Sequence, residues 1–114
     1  MSIITETNLP FQVFKKGKVR DVYSFEDKLL LIVTDRISAF DYVLYEPIPL
    51  KGVYLTQISK FWFDYFKNTI PSHVISTDIT VYIEELEDYK VTPDSRSIWI
   101  KKTKACLIEC IFRG

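Results

Sequence analysis

At 114 residues, with 47% hydrophobic content, the chain is long enough for one domain with a real core and too short for two ordinary ones. Its 15 basic residues balance 15 acidic ones, which excludes a bulk field drawing nucleic acid or a membrane surface; phosphate binding would have to come from local placement of cations. The longest apolar run, Leu29 to Val33, is far below a membrane span, and the N-terminus lacks a charged-then-apolar secretion pattern, so a soluble cytoplasmic protein is expected.

In chain order, Phe11 to Lys16 and Val19 to Phe25 read as a β-hairpin, with Lys16-Gly17 at or near its turn or with Gly17 marking a bulge. The stretch Gly17-Lys18-Val19-Arg20-Asp21-Val22-Tyr23 carries a candidate ligand loop. Glycine lets backbone approach a ligand, and Lys18 and Arg20, two positions apart, would share one face of a strand. Exposed N–H groups and fixed positive charge acting together suit a polyphosphate, although the same pattern also fits a solvated hairpin.

Glu26-Asp27-Lys28 makes a polar turn into Leu29 to Thr34, a short apolar run expected to be a central strand covered on both faces. Thr34-Asp35-Arg36-Ile37-Ser38-Ala39-Phe40-Asp41 follows, dense in polar groups where a buried strand ends, which is where scaffolds place chemistry. Tyr42 to Leu44 reads as another short strand, ended by Pro47 and Pro49.

Ile58, Phe61, Trp62, Tyr65 and Phe66 recur at helical spacing after Thr56, which predicts a helix capped by Thr56 and stopped at Ile70-Pro71. The aromatic stripe reads as a face packed on the sheet rather than a base-stacking platform. Further on, His73 to Ser76 reads as a short strand, Ile83 to Leu86 as a helical turn, and Thr92-Pro93-Asp94-Ser95 as a turn. The acidic run Glu84, Glu85, Glu87 and Asp88 reads as a solvated face rather than a metal site. Strands at Ser97 to Lys102 and Leu107 to Phe112 complete an α+β domain with a mainly antiparallel sheet and one principal helix. Cys106 and Cys110 lie too far apart along such a strand for a disulfide, and His73 is the sole imidazole, so the thiols are expected to be reduced and packed as small apolar groups.

Four segments in order, namely Gly17 to Tyr23, Thr34 to Asp41, Lys51-Gly52 and the terminal Ile108-Glu109-Cys110-Ile111-Phe112-Arg113-Gly114, resemble the SAICAR synthetase family of purine biosynthesis, also called phosphoribosylaminoimidazole-succinocarboxamide synthases. The resemblance runs from about Val13 to Gly114. It implies residues 1–114 as a single N-terminal ATP-binding lobe of the SAICAR synthase-like, ATP-grasp-related fold, with the family's C-terminal domain and its acidic metal ligands absent. The implied parent is an ATP-dependent carbon-nitrogen ligase joining L-aspartate to an aminoimidazole carboxylate ribonucleotide, with ATP and Mg2+ and by way of an acyl phosphate. Such chemistry asks the protein for positioning and charge neutralisation.

Carried over by motif, the resemblance implies an ATP site at Gly17, Lys18, Val19, Arg20, Lys102, Glu109 and Ile111, with Lys18 the leading phosphate contact and Asp21 anchoring the loop through a cation. Glu109 to Ile111 would run along the adenine edge, Glu109 being a buried carboxylate in need of a partner. Ser38, Asp41 and Arg113 would be the substrate side, with Asp35 or Arg36 holding the loop by a salt bridge, and Lys51-Gly52 a further loop closing near the substrate. For Asp35 and Ser38 a local turn-stabilising role stays open. No catalytic residue and no metal ligand are assigned in this chain. Two departures stand out: Cys106-Leu107 where the family suggests a proline, and Tyr45 where proline is common. The chain alone is expected to show little turnover, to bind small-molecule substrates rather than nucleic acid or membrane, and to self-associate through the face left by the missing domain. A nucleotide-binding module without catalysis, and a shortened domain with idle ligand groups, are the alternatives.

Overall fold

The computed structural model describes residues 3–77 and 95–114. The expectations at Ile83 to Leu86, at the acidic run Glu84, Glu85, Glu87 and Asp88, and at most of the Thr92 to Ser95 turn lie outside the described residues.

Among the described residues the strands are β1 (Val13–Lys16), β2 (Arg20–Phe25), β3 (Lys28–Val33), β4 (Ser38–Ala39), β5 (Tyr42–Val43), β6 (Val74–Ser76) and β7 (Ser97–Lys101), with one helix, α1 (Lys51–Phe66), between β5 and β6. Five of the strands form an antiparallel sheet in the order β1-β2-β3-β7-β6, and β4 and β5 form a separate hairpin. The α+β expectation is met.

β3 is the central strand because both of its faces are apolar. Leu30 and Ile32 join Leu9, Tyr23 and Trp99 on one face, and Leu29 joins Ile98 and Ile100 on the other, where Val22 and Leu31 pack against them. An N-terminal strap closes the first face. Thr7 donates through its N–H and its hydroxyl to Asp21 Oδ2 at 3.1 and 2.7 Å, and Leu9 N–H donates to the Tyr23 hydroxyl at 3.2 Å, so buried polar groups are satisfied where the strap crosses the sheet.

Helix α1 lies on the second face but turns a different stripe to it than the aromatic spacing suggests. Gly52 and Thr56 are its buried residues. Thr56, Ser59 and Phe63 line a cavity of about 180 Å3 together with Leu31, Val33 and Ile98 of the sheet. Small residues at i, i+4 and i+7 permit close approach, whereas Phe61, 58% exposed, and Trp62, 50% exposed, point away and stack among their own neighbours. The expected packing of Ile58, Phe61, Trp62, Tyr65 and Phe66 against the sheet is therefore corrected.

The helix also begins five residues before Thr56. Its N-cap, Leu50, has a φ of 62° and no side-chain cap; Gly52 N–H donates instead to Asp35 Oδ1 at 2.9 Å. An acceptor from the end of β3 thus satisfies one of the helix's orphan donors. Lys51-Gly52 accordingly belongs to the first helical turn and is not a loop closing near the substrate.

Two further expectations fail near the C-terminus. Among the described residues, 103–114 pair with no strand, and Leu107 to Phe112 is irregular and exposed. Cys106 and Cys110 are free and exposed rather than packed. Among the described residues no helix is long and apolar enough to cross a membrane.

Candidate nucleotide-binding site

The loop between β1 and β2 is Gly17-Lys18-Val19, closed by Gly17 N–H donating to Arg20 O at 2.7 Å. Lys16 pairs with Asp21 across the hairpin, and the register shift that marks a bulge falls between Val13 and Lys15, not at Gly17. Lys18 sits in the bend ahead of β2, so the expectation that strand alternation puts it on one face with Arg20 is corrected. The loop nevertheless brings the expected residues to one place. An open cleft of about 940 Å3 is lined by Gly17, Lys18, Val19 and Arg20, by the additional cations Lys15 and Lys16, and by Glu109.

Its apolar wall is Val22, Leu31 and Val43. Val22 and Leu31 are register partners on the second face of the sheet, so a flat apolar surface adjoins a cationic rim. That division suits a ligand with an apolar ring at one end and anionic groups at the other.

Gly17 has no unusual backbone, since no glycine among the described residues takes a positive φ. A Cβ built on it would meet only Arg20 O, at 3.5 Å, an ordinary contact. The fold does not require glycine here, and the space it leaves opens beside the cleft.

Below the loop lies a buried ionic lattice. Arg36, just past β3, pairs with buried Asp21 at 2.9 Å, and Arg96 pairs with Asp35 at 2.8 Å where both are buried. Burial raises the Asp35 carboxyl, but hydrogen bonds from Arg96, Ile4 N–H and Gly52 N–H, with the Arg96 charge, outweigh it and hold the group below the usual aspartate value. Asp35 thus serves residues distant in sequence and not a local turn. Lys51 donates to Arg36 O at 2.8 Å. Burial, and after it the nearby Arg20 charge, push the Lys51 ammonium below the usual lysine value, with Asp35 acting against them.

Ser38 and Asp41 belong to the β4-β5 hairpin, whose two central residues, Phe40 and Asp41, have φ of 53° and 62°. Positive φ at both positions is the type I′ requirement. This turn carries Asp41 to the loop, where its Oδ1 accepts from Lys18 Nζ at 2.5 Å. Lys18 holds the Asp41 carboxyl below its usual value, first through that hydrogen bond and then through its charge.

The remaining candidates are not gathered in. Lys102 bonds through its N–H to Asp27 O at 3.0 Å, by the β2-β3 turn and so at the other end of β2 from the loop. Ile111 and Arg113 are exposed and do not line the cleft. Glu109 lines it from an exposed segment, so the premise of a buried carboxylate in a strand is corrected. Sequence reasoning missed Lys15 and Lys16 in the rim and Val22, Leu31 and Val43 in the wall; the alternation of β2 was the available signal for Val22.

The family model of SAICAR synthetase matches residues 13–114. The chain belongs to the SAICAR synthetase family. Phosphoribosylaminoimidazole-succinocarboxamide synthase of Desulfosudis oleivorans is 48% identical over 113 residues, covering 98% of this chain and 39% of that protein. The enzyme of the same name from Thermodesulfovibrio yellowstonii is 46% identical over 114 residues, covering 99% of this chain and 39% of its own length. Among solved structures, a SAICAR-synthase from Saccharomyces cerevisiae, complexed with SAICAR, superposes with a TM-score of 0.80 at 35% identity, over 89% of this chain and 37% of that one. The SAICAR synthase-like fold is therefore shared, and the chain spans about 39% of the length of the curated relatives it matches.

Proposed function

We propose that the chain is the N-terminal, ATP-binding part of a phosphoribosylaminoimidazole-succinocarboxamide synthase, the ligase that joins L-aspartate to 5-amino-1-(5-phosphoribosyl)imidazole-4-carboxylate with ATP hydrolysis. The observation that carries this is the cationic Gly17 loop over an apolar wall, in a chain of the SAICAR synthetase family. ATP fits these residues: the purine has Val22, Leu31 and Val43 to lie on, and the phosphates have Lys18, Arg20 and the loop backbone. Glu109 lines the cleft and would accept from a base or ribose donor; Lys102, Ile111 and Arg113, the other expected contacts, lie outside the cleft.

Magnesium is different. Among the described residues no group of three His, Cys, Asp or Glu side chains stands together as a metal site, and no magnesium ligand is assigned to them; with ATP the ion needs only one or two protein carboxylates beside the phosphates. Ser38 and Asp41, both on the β4-β5 hairpin, are read as the substrate-side groups of this part, and Asp41 reaches the loop through Lys18. Because the phosphates would be faced on one side only, the chain by itself binds nucleotide with little or no turnover. The exposed aromatic face of α1 supports self-association of the chain on its own.

Calorimetric titration with ATP on the chain and on Lys18→Ala tests the reading, beside an assay for ATP- and aspartate-dependent product. Saturable binding weakened by the substitution, with no product, is expected. Absent binding in the unsubstituted chain would instead favour a domain with idle ligand groups.

A further inference from the structure

Arg36 makes more contacts with the loop backbone than any ligand-facing residue does. Its Nη2 donates to Gly17 O at 3.1 Å and to Asp21 Oδ1 at 2.9 Å, its Nε to Lys18 O at 2.9 Å, and its Nη1 to Thr5 O at 2.7 Å. The next carbonyl, Val19 O, accepts from Thr34 N–H at 3.0 Å and Thr34 Oγ1 at 2.8 Å. Three successive carbonyls of the loop are therefore drawn to one side, toward the end of β3.

The described peptides are all trans. In a planar trans peptide the N–H points opposite to the C=O of the same unit. With Gly17 O and Lys18 O fixed on Arg36, the N–H groups of Lys18 and Val19 leave the loop on its opposite side. Neither has a hydrogen-bond partner among the described residues. The cleft is lined by Gly17, Lys18 and Val19 but not by Arg36, which sets it on that same opposite side.

Resting on the reading of this cleft as an ATP phosphate site, we propose that Arg36 is a positioning residue, holding the Lys18 and Val19 N–H groups toward the cleft as a two-donor cradle for one phosphate of a nucleoside triphosphate. Arginine is suited to the task because its planar fork offers five donors in fixed directions, enough to serve two consecutive carbonyls, Thr5 O and a carboxylate together. A lysine offers a point charge that satisfies Asp21 without fixing the peptide planes. Asp21 is itself held by the two Thr7 donors, so the N-terminal strap, Asp21, Arg36 and the loop form one continuous support.

The test is nitrogen-15 NMR of the full chain titrated with ATP and, separately, with inorganic tripolyphosphate, on the unsubstituted protein and on Arg36→Lys. The unsubstituted chain is expected to show downfield amide-proton shifts at Lys18 and Val19 with both probes. Arg36→Lys, with β3 amides unmoved, is expected to lose those shifts and to bind at least about tenfold more weakly. Binding by the unsubstituted chain with Lys18 and Val19 amides unmoved overturns the proposal and leaves the phosphate-site reading standing, and this outcome needs no variant to fold. Equal affinity and equal amide shifts in Arg36→Lys also overturn it. Failure of both probes to bind the unsubstituted chain removes the phosphate-site reading itself, and the cradle with it.

Discussion

Arg96 Nη1 and Asp35 Oδ1 meet at 2.8 Å with both side chains buried, and the same Asp35 oxygen accepts the Gly52 N–H that opens α1. One carboxylate thus ties the end of β3 to the residue before β7, to the helix start and, through Oδ2, to Ile4 N–H at 3.0 Å. Removing either partner strands a buried charge. Asp35→Asn or Arg96→Met is expected to lower stability by about 3–5 kcal/mol, read from urea unfolding midpoints. A loss under 1 kcal/mol would show that solvent reaches the pair.

The same pair gives a pH dependence with a fixed sign. Asp35 titrates below its ordinary 3.8, so between the folded and ordinary values the folded state binds fewer protons than the unfolded one. Its contribution is fully present above that ordinary value and is lost as pH falls through the folded one. Urea midpoints measured from neutral pH downward should fall more steeply in the unsubstituted chain than in Asp35→Asn over that acid window. Parallel curves would assign the acid sensitivity to other carboxylates.

The two internal glycines should behave in opposite ways. A Cβ on Gly52 would lie 2.2 Å from Val33 O and 2.9 Å from Thr34 O, backbone atoms that cannot give way cheaply. Although Ala is the better helix former by about 1 kcal/mol, Gly52→Ala is expected to destabilise by roughly 3 kcal/mol or more. Gly17→Ala meets only Arg20 O at 3.5 Å, so its unfolding midpoint should stay put while ATP affinity falls. Unchanged ATP affinity in Gly17→Ala would mean that no ligand approaches the loop backbone there.

How far the sequence reveals this molecule depends on the range of the interactions involved. The β1-β2 hairpin, β3 and β7 follow from runs of apolar residues bounded by polar turns, which are local signals. The start of α1 is hidden because its stabilising acceptor, Asp35, lies 17 residues upstream. The facing stripe of α1 is hidden because close approach selects Gly52 and Thr56, small residues that hydrophobic periodicity underweights, while the louder aromatic stripe faces out. Leu107 to Phe112 has strand-like composition, but β-propensity records fit to a half-buried sheet surface, and this segment is exposed. In the site, residue type alone leaves Gly17 to Arg20 open between a ligand loop and a solvated hairpin, and the family resemblance is what singles them out. Arg36 was legible only as a possible salt-bridge partner, since its carbonyl contacts are 18 and 19 residues away in sequence.

The outward face of α1 should make the isolated chain associate with itself. Ile58, Phe61, Trp62, Tyr65 and Phe66 are each exposed on one helix, and Ile58, Trp62 and Phe66 also border a groove of about 560 Å3. Sedimentation velocity at rising concentration should show a growing dimer fraction, abolished in Trp62→Glu. A chain that stays monomeric at millimolar concentration would sink the idea.

Lys18 is already engaged before any phosphate arrives. Its ammonium touches Asp41 at 2.5 Å, with Asp41 94% exposed on its side chain and Lys18 49% exposed. Such a pair adds little to folding, because water and salt screen it, yet it sets a competition at the binding loop. Asp41 is ionised near neutral pH as an ordinary aspartate is, and Lys18, by its hydrogen bond and its charge, favours that form further. An incoming triphosphate must therefore displace one anion from Lys18 and place a second beside Asp41. Asp41→Asn removes both obstacles and is expected to raise ATP affinity a few-fold, whereas Lys18→Ala should lower it about tenfold, and the double variant should bind somewhat better than Lys18→Ala because the Asp41 charge no longer faces the phosphate. If Asp41→Asn weakens ATP binding instead, Asp41 orients Lys18 toward the phosphate and does not compete for it. Repeating the titrations at higher ionic strength separates the two cases further: a competing pair is screened together with the phosphate contact, so the advantage of Asp41→Asn should shrink as salt rises.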